Sequence, residues 1–441
     1  MKNLFVFVLL LSLSLKAQNI KITKGVEFPI QKSKWTNIAL ESDSTGFYYF
    51  RSIGGYYSTK YVLHKLDAHK SSTIFEKEID LSGDSYLGGE GYFKAAHNIN
   101  GKIRIFTQAI KGKTNHFMMQ EFSSVTGEAF GPPVIVDAME DTKAYIISES
   151  ILKFHVNFSP DHSKMLVVAE LKKDEKIQKV FAKLYSTEGY KKIWEKEPIG
   201  TYSNSTVSSF DYHVDNEGTF YYLFVYLRSG EQKLYTVGQN IYSYYDYAHG
   251  IGLCRPTSTA NKIMLIPSKG ITTFEPKLEI VQNKIVCSGH FVEGEFKNKG
   301  ADELANIGFF FLTVDPLIAE IKTSHFKLLD DTYRAKLAVK DKGKRHEFAG
   351  NKEYQNLQTL WINGSFYNIQ LRTIDKGYVG AYGKEILVFK YDAASKLQWV
   401  KLIPRSTYED LNGLNFLATN KLNLFYYDLP ENLSAFPSAG D

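Results

Sequence analysis

A two-strand pattern recurs seven times along this chain and constrains its fold more than any other feature. In each copy, alternating apolar residues lead into a short turn of Asn, Asp, Gly or Pro-Asp, and a denser apolar run follows. The copies span residues 38–50, 95–106, 154–168, 210–224, 278–287, 369–379 and 414–425, and their turns lie at Ser44-Thr45-Gly46, Asn100-Gly101, Pro160-Asp161, Asn216-Glu217-Gly218, Asn283, Lys376-Gly377 and Asn420. Such repetition is typical of solenoids and propellers, in which one unit buries its apolar face only against its neighbours.

A second hairpin pattern lies between most of these copies. It spans residues 63–79, 119–136, 182–199, 309–326 and 386–403, with a weaker copy at 233–242. Two hairpins per unit make the four antiparallel strands of a propeller blade. Most units span about 55–65 residues, which exceeds the roughly 40–45 of WD repeats and the roughly 50 of kelch repeats. We therefore expect an all-β β-propeller with seven four-stranded blades, and six or eight blades are the alternatives.

The two ends of the chain bear on how such a ring closes. The seventh copy has no clear second hairpin before Asp441, and residues 20–30 are expected to add an outer strand to it, because an open blade exposes a strand edge. Alternatively, the protein continues past Asp441. Residues 18–441 are predicted to form one domain with loop insertions at about 238–276 and 329–365. Part of 331–360 is expected to be helical, unless the long interval there contains an eighth blade.

The first residues indicate export. Lys2 precedes an apolar, serine-containing run at 4–15, and Leu15-Lys16-Ala17 ends it with a small residue. This pattern predicts a secretory signal peptide at residues 1–17, too short to cross a bilayer. A buried N-terminal helix is the alternative. The mature protein is expected to be periplasmic or extracellular and not membrane-spanning.

Composition agrees with β structure and narrows the partners. The 29 Tyr and 30 Phe suit a pleated, half-buried surface. A net charge of +5 without a dominant basic stripe argues against nucleic acid as a partner. Cys254 and Cys287 are the two cysteines. An exported protein can oxidise such a pair, but Cys287 lies in an apolar strand pattern where a buried free thiol is equally ordinary.

The chain resembles the secreted β-propeller proteins of Bacteroidetes-type bacteria. The resemblance rests on the signal segment, a Lys/Tyr/Asn-rich composition and strand–turn phrases such as NFSPDHSKMLVVAE (157–170) and VFKYDAASKLQWVK (388–401). It covers residues 36–428. What it implies is the fold and not an activity.

Candidate binding residues lie in the long connections, which a propeller gathers on one rim around its channel. They combine tyrosines with carboxylates and arginines, groups that stack on and hydrogen-bond to a sugar or peptide. The candidates are Tyr242, Tyr244, Tyr245, Tyr247, His249, Arg255, Asp84, Glu90, Asp331, Arg334 and Arg405. The tyrosine run has period-two character, so a plain strand is the alternative to a recognition platform.

Cofactor signatures are weak. The glycine-rich LGGEG at 87–91 matches neither a dinucleotide fingerprint nor a phosphate loop. Asp80, Asp84 and Glu90 could hold a structural calcium through oxygen ligands or could simply be solvated. The eleven histidines form no metal-binding motif with ligand spacing. No cofactor and no resident metal are therefore expected.

These observations favour an exported, non-catalytic propeller that binds a protein or a glycan. The main competing hypothesis is a carbohydrate- or peptide-active hydrolase or lyase, with acids such as Asp84, Glu90, Asp246 or Asp331 brought together at the channel mouth. A third is a structural module of a cell-envelope assembly. Fold alone does not choose between them.

Overall fold

The computed structural model of the protein consists of antiparallel β-sheets. It describes residues 37–40, 42–55, 58–67, 72–80, 91–140, 152–173, 176–199, 206–237, 240–257, 262–267, 271–293, 307–328, 339–341, 344–346, 354–375, 381–404, 415–418 and 422–425. Within these residues there is no helix of the length and apolarity that crossing a membrane requires. The predicted signal peptide and the predicted closing strand at 20–30 lie outside them.

The first three sheets each contain four strands in chain order, which we name blades I, II and III. Blade I comprises β1 (Asn37–Ala39), β2 (Gly46–Gly55), β3 (Ser58–Asp67) and β4 (Thr73–Ile79). Blade II comprises β5 (Gly91–Ile99), β6 (Lys102–Lys111), β7 (Thr114–Ser123) and β8 (Val134–Glu140). Blade III comprises β9 (Leu152–Phe158), β10 (Lys164–Lys173), β11 (Lys176–Ser186) and β12 (Lys192–Ile199).

The next three four-stranded sheets repeat this order as blades IV, V and VI. Blade IV comprises β13 (Thr206–Val214), β14 (Phe220–Val237), β15 (Asn240–Cys254) and β16 (Lys262–Leu265). Blade V comprises β17 (Ile271–Val281), β18 (Lys284–Glu293), β19 (Ile307–Asp315) and β20 (Glu320–Leu328), and the pair β21 (Val339–Asp341) and β22 (Lys344–His346) follows it. Blade VI comprises β23 (Tyr354–Ile362), β24 (Ser365–Asp375), β25 (Ala381–Tyr391) and β26 (Leu397–Pro404), followed by the pair β27 (Asn415–Ala418) and β28 (Leu422–Phe425).

Each apolar core lies between two neighbouring blades, which is the radial packing of a propeller. Within β14, Tyr222 and Phe224 pack against blade III, whereas Tyr221 and Leu223 pack against blade V. The same alternation appears at the other junctions of blades I to VI that the structure describes. The first strands of successive blades also approach one another, from β5 through β9, β13 and β17 to β23. The prediction of an all-β propeller is confirmed.

The predicted blade number is wrong, because the described residues form six four-stranded blades and not seven. The last repeat is a two-stranded sheet, β27–β28, that pairs over Asn415–Ala418 and Leu422–Phe425. The prediction of seven blades rests on seven first hairpins, although the seventh has no clear second hairpin before Asp441. A first hairpin carries only half of a blade's strands, so the count overestimated the number of complete sheets.

The hairpin assigned to blade VI was also misplaced. Lys376-Gly377 falls in the connection between β24 and β25, the middle strands, and not within the first hairpin. The first hairpin turns at Asn363-Gly364, where φ is 49° and 76°. Positive φ at both positions identifies a type I′ turn, for which Asn-Gly is the favoured sequence. Part of the expected helix at 331–360 is strand instead, in β21, β22 and β23.

The weaker hairpin predicted at 233–242 has a different role from the one assigned to it. It joins β14 to β15, the two middle strands of blade IV, and is not the second hairpin of a blade. The second hairpin of blade IV is formed by β15 and the short strand β16, which pair from Gly250–Leu265 to Leu253–Lys262. The error arose because β14 and β15 are much longer than their counterparts.

Candidate functional site

The tyrosine run predicted to bind a ligand is a strand. Tyr242, Tyr244, Tyr245 and Tyr247 all lie on β15. Whether this strand also binds a ligand stays a prediction. Five other candidates lie outside the described residues, together with most of the long connections: Asp84, Glu90, Asp331, Arg334 and Arg405. Their proximity to the tyrosines therefore stays a prediction.

The strand that carries the tyrosines extends well beyond its blade. β14 has 18 residues and β15 has 15, whereas the middle strands of the other blades have 9 to 11. Pairing is interrupted after Leu227–Tyr247, resumes at Gln232–Tyr245 and continues to Val237–Asn240. We call the paired part beyond this break, residues 232–245, the tyrosine ribbon. It extends from the rim where second and third strands connect, the rim predicted to carry the long loops.

The ribbon begins from a tightly packed base. His249 is buried, and its Nδ1 lies 2.7 Å from Oγ1 of Thr273 in blade V. Gly250 and Gly252 lie directly opposite Phe224 and Tyr222, whose rings cover the glycine backbone. A Cβ on Gly252 would lie 2.0 Å from Cζ of Tyr222. The glycines thus allow two aromatic rings to pack on β15 where it leaves the blade.

Arg255 lies at the other end of β15, away from the ribbon. Its guanidinium donates to the carbonyl oxygen of Pro316, 2.8 Å away, and to that of Leu317, both in the β19–β20 turn of blade V. The structure therefore places Arg255 in a contact between two blades at the opposite rim. It does not bring this candidate together with the tyrosines.

A second set of polar residues, which sequence analysis did not identify, follows the first strands from blade II to blade V. These strands are the innermost of their blades, because each pairs on one side only and approaches the first strand of the next blade. We call this set the inner-wall cluster: Lys94, Lys153, His155, Asn157, Asp211, His213, Lys277 and Glu279. Its members come from four separate repeats, so no short sequence motif predicts the cluster.

Blade III contributes an oriented histidine to this cluster. Glu170 of β10 is 2% exposed and accepts a hydrogen bond from the Tyr212 hydroxyl of blade IV. Its other oxygen, Oε2, lies 3.4 Å from Nε2 of His155. The ring of His155 also packs on Tyr212, with centroids 5.2 Å apart. Although its carboxylate partner is buried, the side chain of His155 is 43% exposed.

Blade IV contributes the acid Asp211 to the cluster, and blade V contributes Lys277 and the acid Glu279. Asp211 adopts φ 61° at a bulge in β13, and its Oδ2 accepts from the Leu278 amide at 2.9 Å. Burial raises the pKa of Asp211, although this hydrogen bond and Lys277 oppose the shift. Lys277 Nζ lies 3.5 Å from Oε1 of Glu279. The other carboxylate oxygen of Glu279 is buried without a hydrogen-bond partner among the described residues.

His213 connects the two halves of the cluster. Its Nδ1 lies 3.2 Å from Nδ2 of Asn157, which also donates to the Tyr212 carbonyl at 2.8 Å. Burial lowers the pKa of His213 to about 4, and the charge of Lys277 acts in the same direction. The imidazole is therefore neutral at physiological pH. Asp211 has a αL conformation that non-glycine residues rarely adopt, a feature that often marks functional positions.

No metal centre is apparent in the described ranges. No group of three or more His, Cys, Asp or Glu side chains is arranged there to hold a metal ion. The predicted calcium ligands Asp84 and Glu90 lie outside those ranges, so that alternative stays untested. The inner-wall cluster itself offers ammonium, imidazole, amide and carboxylate groups.

Comparison with known proteins assigns no family. No family model matches the chain, and no curated protein sequence matches it significantly. A hypothetical selenium-binding protein from Sulfolobus tokodaii is similar in structure, with a TM-score of 0.43 and 10% identity over 80% of this chain and 75% of that one. The β-propeller domain of the Trilobed protease from Pyrococcus furiosus gives a TM-score of 0.37 and 9% identity over 85% and 100%.

A protein of unknown function from Bacteroides caccae is also similar. It has a TM-score of 0.33 and 10% identity over 80% of this chain and 93% of that one. Similarity at this level indicates nothing about activity, ligand or source. The resemblance to secreted Bacteroidetes-type propellers therefore stays a prediction, and the functional argument rests on the residues described above.

Proposed function

We propose that this protein is an exported, non-catalytic binding module that recognises a protein or a glycan through the rim bearing the tyrosine ribbon. The ribbon is the observation that supports this proposal. Only blade IV has middle strands of such length among the blades described, and the added length is rich in tyrosine. Export is supported by the N-terminal pattern alone.

The physical case for recognition comes from the shape and composition of the ribbon. A two-stranded hairpin is marginally stable by itself in water, so an extension of this kind gains stability from contact with a partner. Tyrosine provides a large amphipathic contact area with little loss of side-chain entropy.

The experiment is a glycan and peptide array probed with residues 18–441, with product detection on each ligand that binds. The test variant is the double substitution Tyr242→Ser/Tyr244→Ser, and the control is Lys401→Gln, an exposed residue on the outer strand of blade VI, away from the ribbon. Aromatic anchors contribute about 1–2 kcal/mol each at interfaces. We expect the double variant to bind at least about tenfold more weakly, while Lys401→Gln retains the affinity.

Two results would contradict the proposal. One is turnover of a bound ligand by the wild-type protein, since that would make the protein an enzyme. The other is equal affinity of the double variant and the wild type. Cell fractionation with an antibody tests export, and a cytoplasmic location of the full chain would contradict that part.

A hydrolase or lyase acting on carbohydrate or peptide is the second candidate function. The observation that favours it is the His155–Glu170 pair, in which a buried carboxylate orients an exposed imidazole, an arrangement suited to general acid–base chemistry. If the array reveals turnover, His155→Gln should abolish it and Tyr242→Ser/Tyr244→Ser should mainly raise KM. Unchanged kcat in His155→Gln would exclude this pair as the catalytic one.

A further inference from the structure

We propose that the inner wall of blades II and III binds an anionic ligand that also carries a hydroxyl group, of the sugar-acid class. The site consists of Lys94, Lys153 and His155. It lies on β5 and β9, apart from the ribbon, so it does not depend on the function proposed above. The site has three features: two lysines that form no ion pair within the described residues, one imidazole beside a buried carboxylate and a spacing that matches a small ligand.

Two lysines lie on adjacent first strands, one on β5 and one on β9. Lys153 is exposed on β9, and Lys94 is half-buried on β5, which approaches β9. Within the described residues neither ammonium forms an ion pair. Burial lowers the pKa of Lys94, and the charge of Lys153 lowers it further. Two neighbouring ammonium groups that repel each other in this way form a natural site for an anion.

The backbone contributes to this arrangement. Lys94 is the extra residue of a β-bulge, because Phe93 pairs with Thr107 and Ala95 pairs with Phe106. A bulge redirects the side chain at its position and is common next to binding sites. The nearest carboxylate in the register is Glu170, opposite Lys153. Glu170 also contacts Tyr212 and His155, and a single carboxylate cannot balance the charge of both lysines.

His155 supplies a hydrogen-bonding partner. Its Nε2 lies 3.4 Å from Oε2 of Glu170, so Glu170 lies beside one of the two ring nitrogens. Nδ1 of His155 has no partner in the described part of the chain, and a hydroxyl can pair with it as donor or as acceptor. Lys153 and His155 are two residues apart on one face of β9, roughly 6.5 Å along the strand. One sugar ring spans that distance, with its carboxylate at the lysines and a hydroxyl at Nδ1.

Isothermal titration with sodium D-glucuronate tests the assignment, with D-glucose as the uncharged probe and propionate as the carboxylate without a hydroxyl. The protein is residues 18–441, and the variants are Lys94→Gln, Lys153→Gln and His155→Gln. Lys401→Gln is the control, because Lys401 is an exposed lysine on the outer strand of blade VI. Thermal unfolding of each ligand-free variant is recorded in parallel.

We expect glucuronate to bind and glucose not to bind. Each of Lys94→Gln and Lys153→Gln should weaken glucuronate binding about tenfold, the usual effect of removing a charged hydrogen-bond donor. The same two variants should have an equal or higher Tm without ligand, because they remove a repulsion. A lysine with a purely structural role would instead lower the Tm. His155→Gln should reduce the preference for glucuronate over propionate.

Three results would overturn the inference. Equally weak binding of glucuronate and glucose would contradict the anion site, and so would lysine variants that bind glucuronate like Lys401→Gln. Equal affinity for glucuronate and propionate in the wild type removes the hydroxyl contact. Loss of array binding in the ribbon variant with intact glucuronate binding would separate this site from the function proposed for the ribbon.

Discussion

Tyr212 of blade IV donates its phenolic hydrogen to Glu170 of blade III, so that one blade satisfies a carboxylate buried in its neighbour. A buried charge that loses a donor keeps its full desolvation cost. Contacts of this kind fix the rotation of one sheet against the next. The same pair also orients His155. The junction of blades III and IV therefore contributes both to the stability of the protein and to the position of a residue on the inner wall.

Tyr212→Phe is therefore expected to destabilise the protein. The loss should be roughly 1–3 kcal/mol in the free energy of unfolding, because the ring remains but the hydrogen bond to a buried carboxylate is lost. Urea denaturation followed by tryptophan fluorescence measures it. Tyr185→Phe is the matched control, since Tyr185 is also buried but its hydroxyl makes no hydrogen bond within the described residues. Similar losses in both variants would contradict the role of the hydroxyl.

Gly252→Ala is expected to be more costly than an ordinary glycine substitution. The new Cβ would lie 2.0 Å from Cζ of Tyr222, which is 2% exposed and has no free space to retreat into. Overpacking of this kind usually costs roughly 1–3 kcal/mol. Gly131→Ala is the control, because a Cβ there meets nothing within 4 Å. Urea denaturation measures the effect, and the midpoint of Gly252→Ala should be lower than that of Gly131→Ala. Equal midpoints would contradict the close packing of Tyr222 on Gly252.

The strands could be predicted from the sequence wherever a short dipeptide in the turn specifies the hairpin. Asn100-Gly101 adopts φ of 52° and 75°, and the hairpin read from that dipeptide is the one observed. Asn363-Gly364 carries the same signal, with φ of 49° and 76°, but it lies inside the insertion predicted at 329–365. The number of complete blades was not predictable in this way, since it depends on which hairpins share a sheet.

The inner-wall cluster could not be predicted, for a different reason. On β9, Lys153, His155 and Asn157 alternate with apolar residues, a pattern that any half-exposed strand produces. What distinguishes them is the approach of Lys94 from one blade and of Tyr212 from another. Those contacts join residues about sixty positions apart, and only the radial packing of the blades brings them together.

Acid should destabilise the protein through its buried histidines. His290 is 8% exposed, and its Nε2 lies 2.7 Å from Oε1 of Gln370 in the next blade. Burial lowers its pKa from the ordinary 6.5 to about 4. Between pH 6.5 and 4 the unfolded chain therefore binds a proton at His290 that the folded protein does not bind. The contribution of this histidine to the free energy of unfolding is complete above pH 6.5 and falls as the pH drops toward 4. For this one histidine, the loss in the free energy of unfolding approaches about 3 kcal/mol.

Urea denaturation at several pH values measures this dependence. His290→Gln removes the titrating group, so its free energy of unfolding should fall less steeply between pH 6.5 and 4 than that of the wild type. His64 and His213 have pKa values lowered to about 4 by the same cause and should retain part of the slope. Identical slopes for the variant and the wild type would contradict a neutral, buried His290.

The two cysteines should behave as separate, unreactive thiols. Both are free and buried, and they lie on opposite sides of blade IV: Cys254 packs in the core shared with blade III, and Cys287 in the core shared with blade V. Burial raises the pKa of both thiols, and Asp211 and Glu279 raise that of Cys287 further. Since the thiolate is the reactive form, neither should react quickly in the folded state.

Thiol labelling under non-reducing conditions tests this expectation. The folded protein should take up almost no reagent within minutes, and the urea-denatured protein should take up two equivalents per chain. A reducing agent should leave the Tm unchanged, because no covalent cross-link limits the unfolded state. Two labelled thiols before denaturation would contradict their burial. No labelled thiol after denaturation would instead show that export oxidises the pair, which requires the sheet of blade IV to rearrange so that the two sulfur atoms can meet.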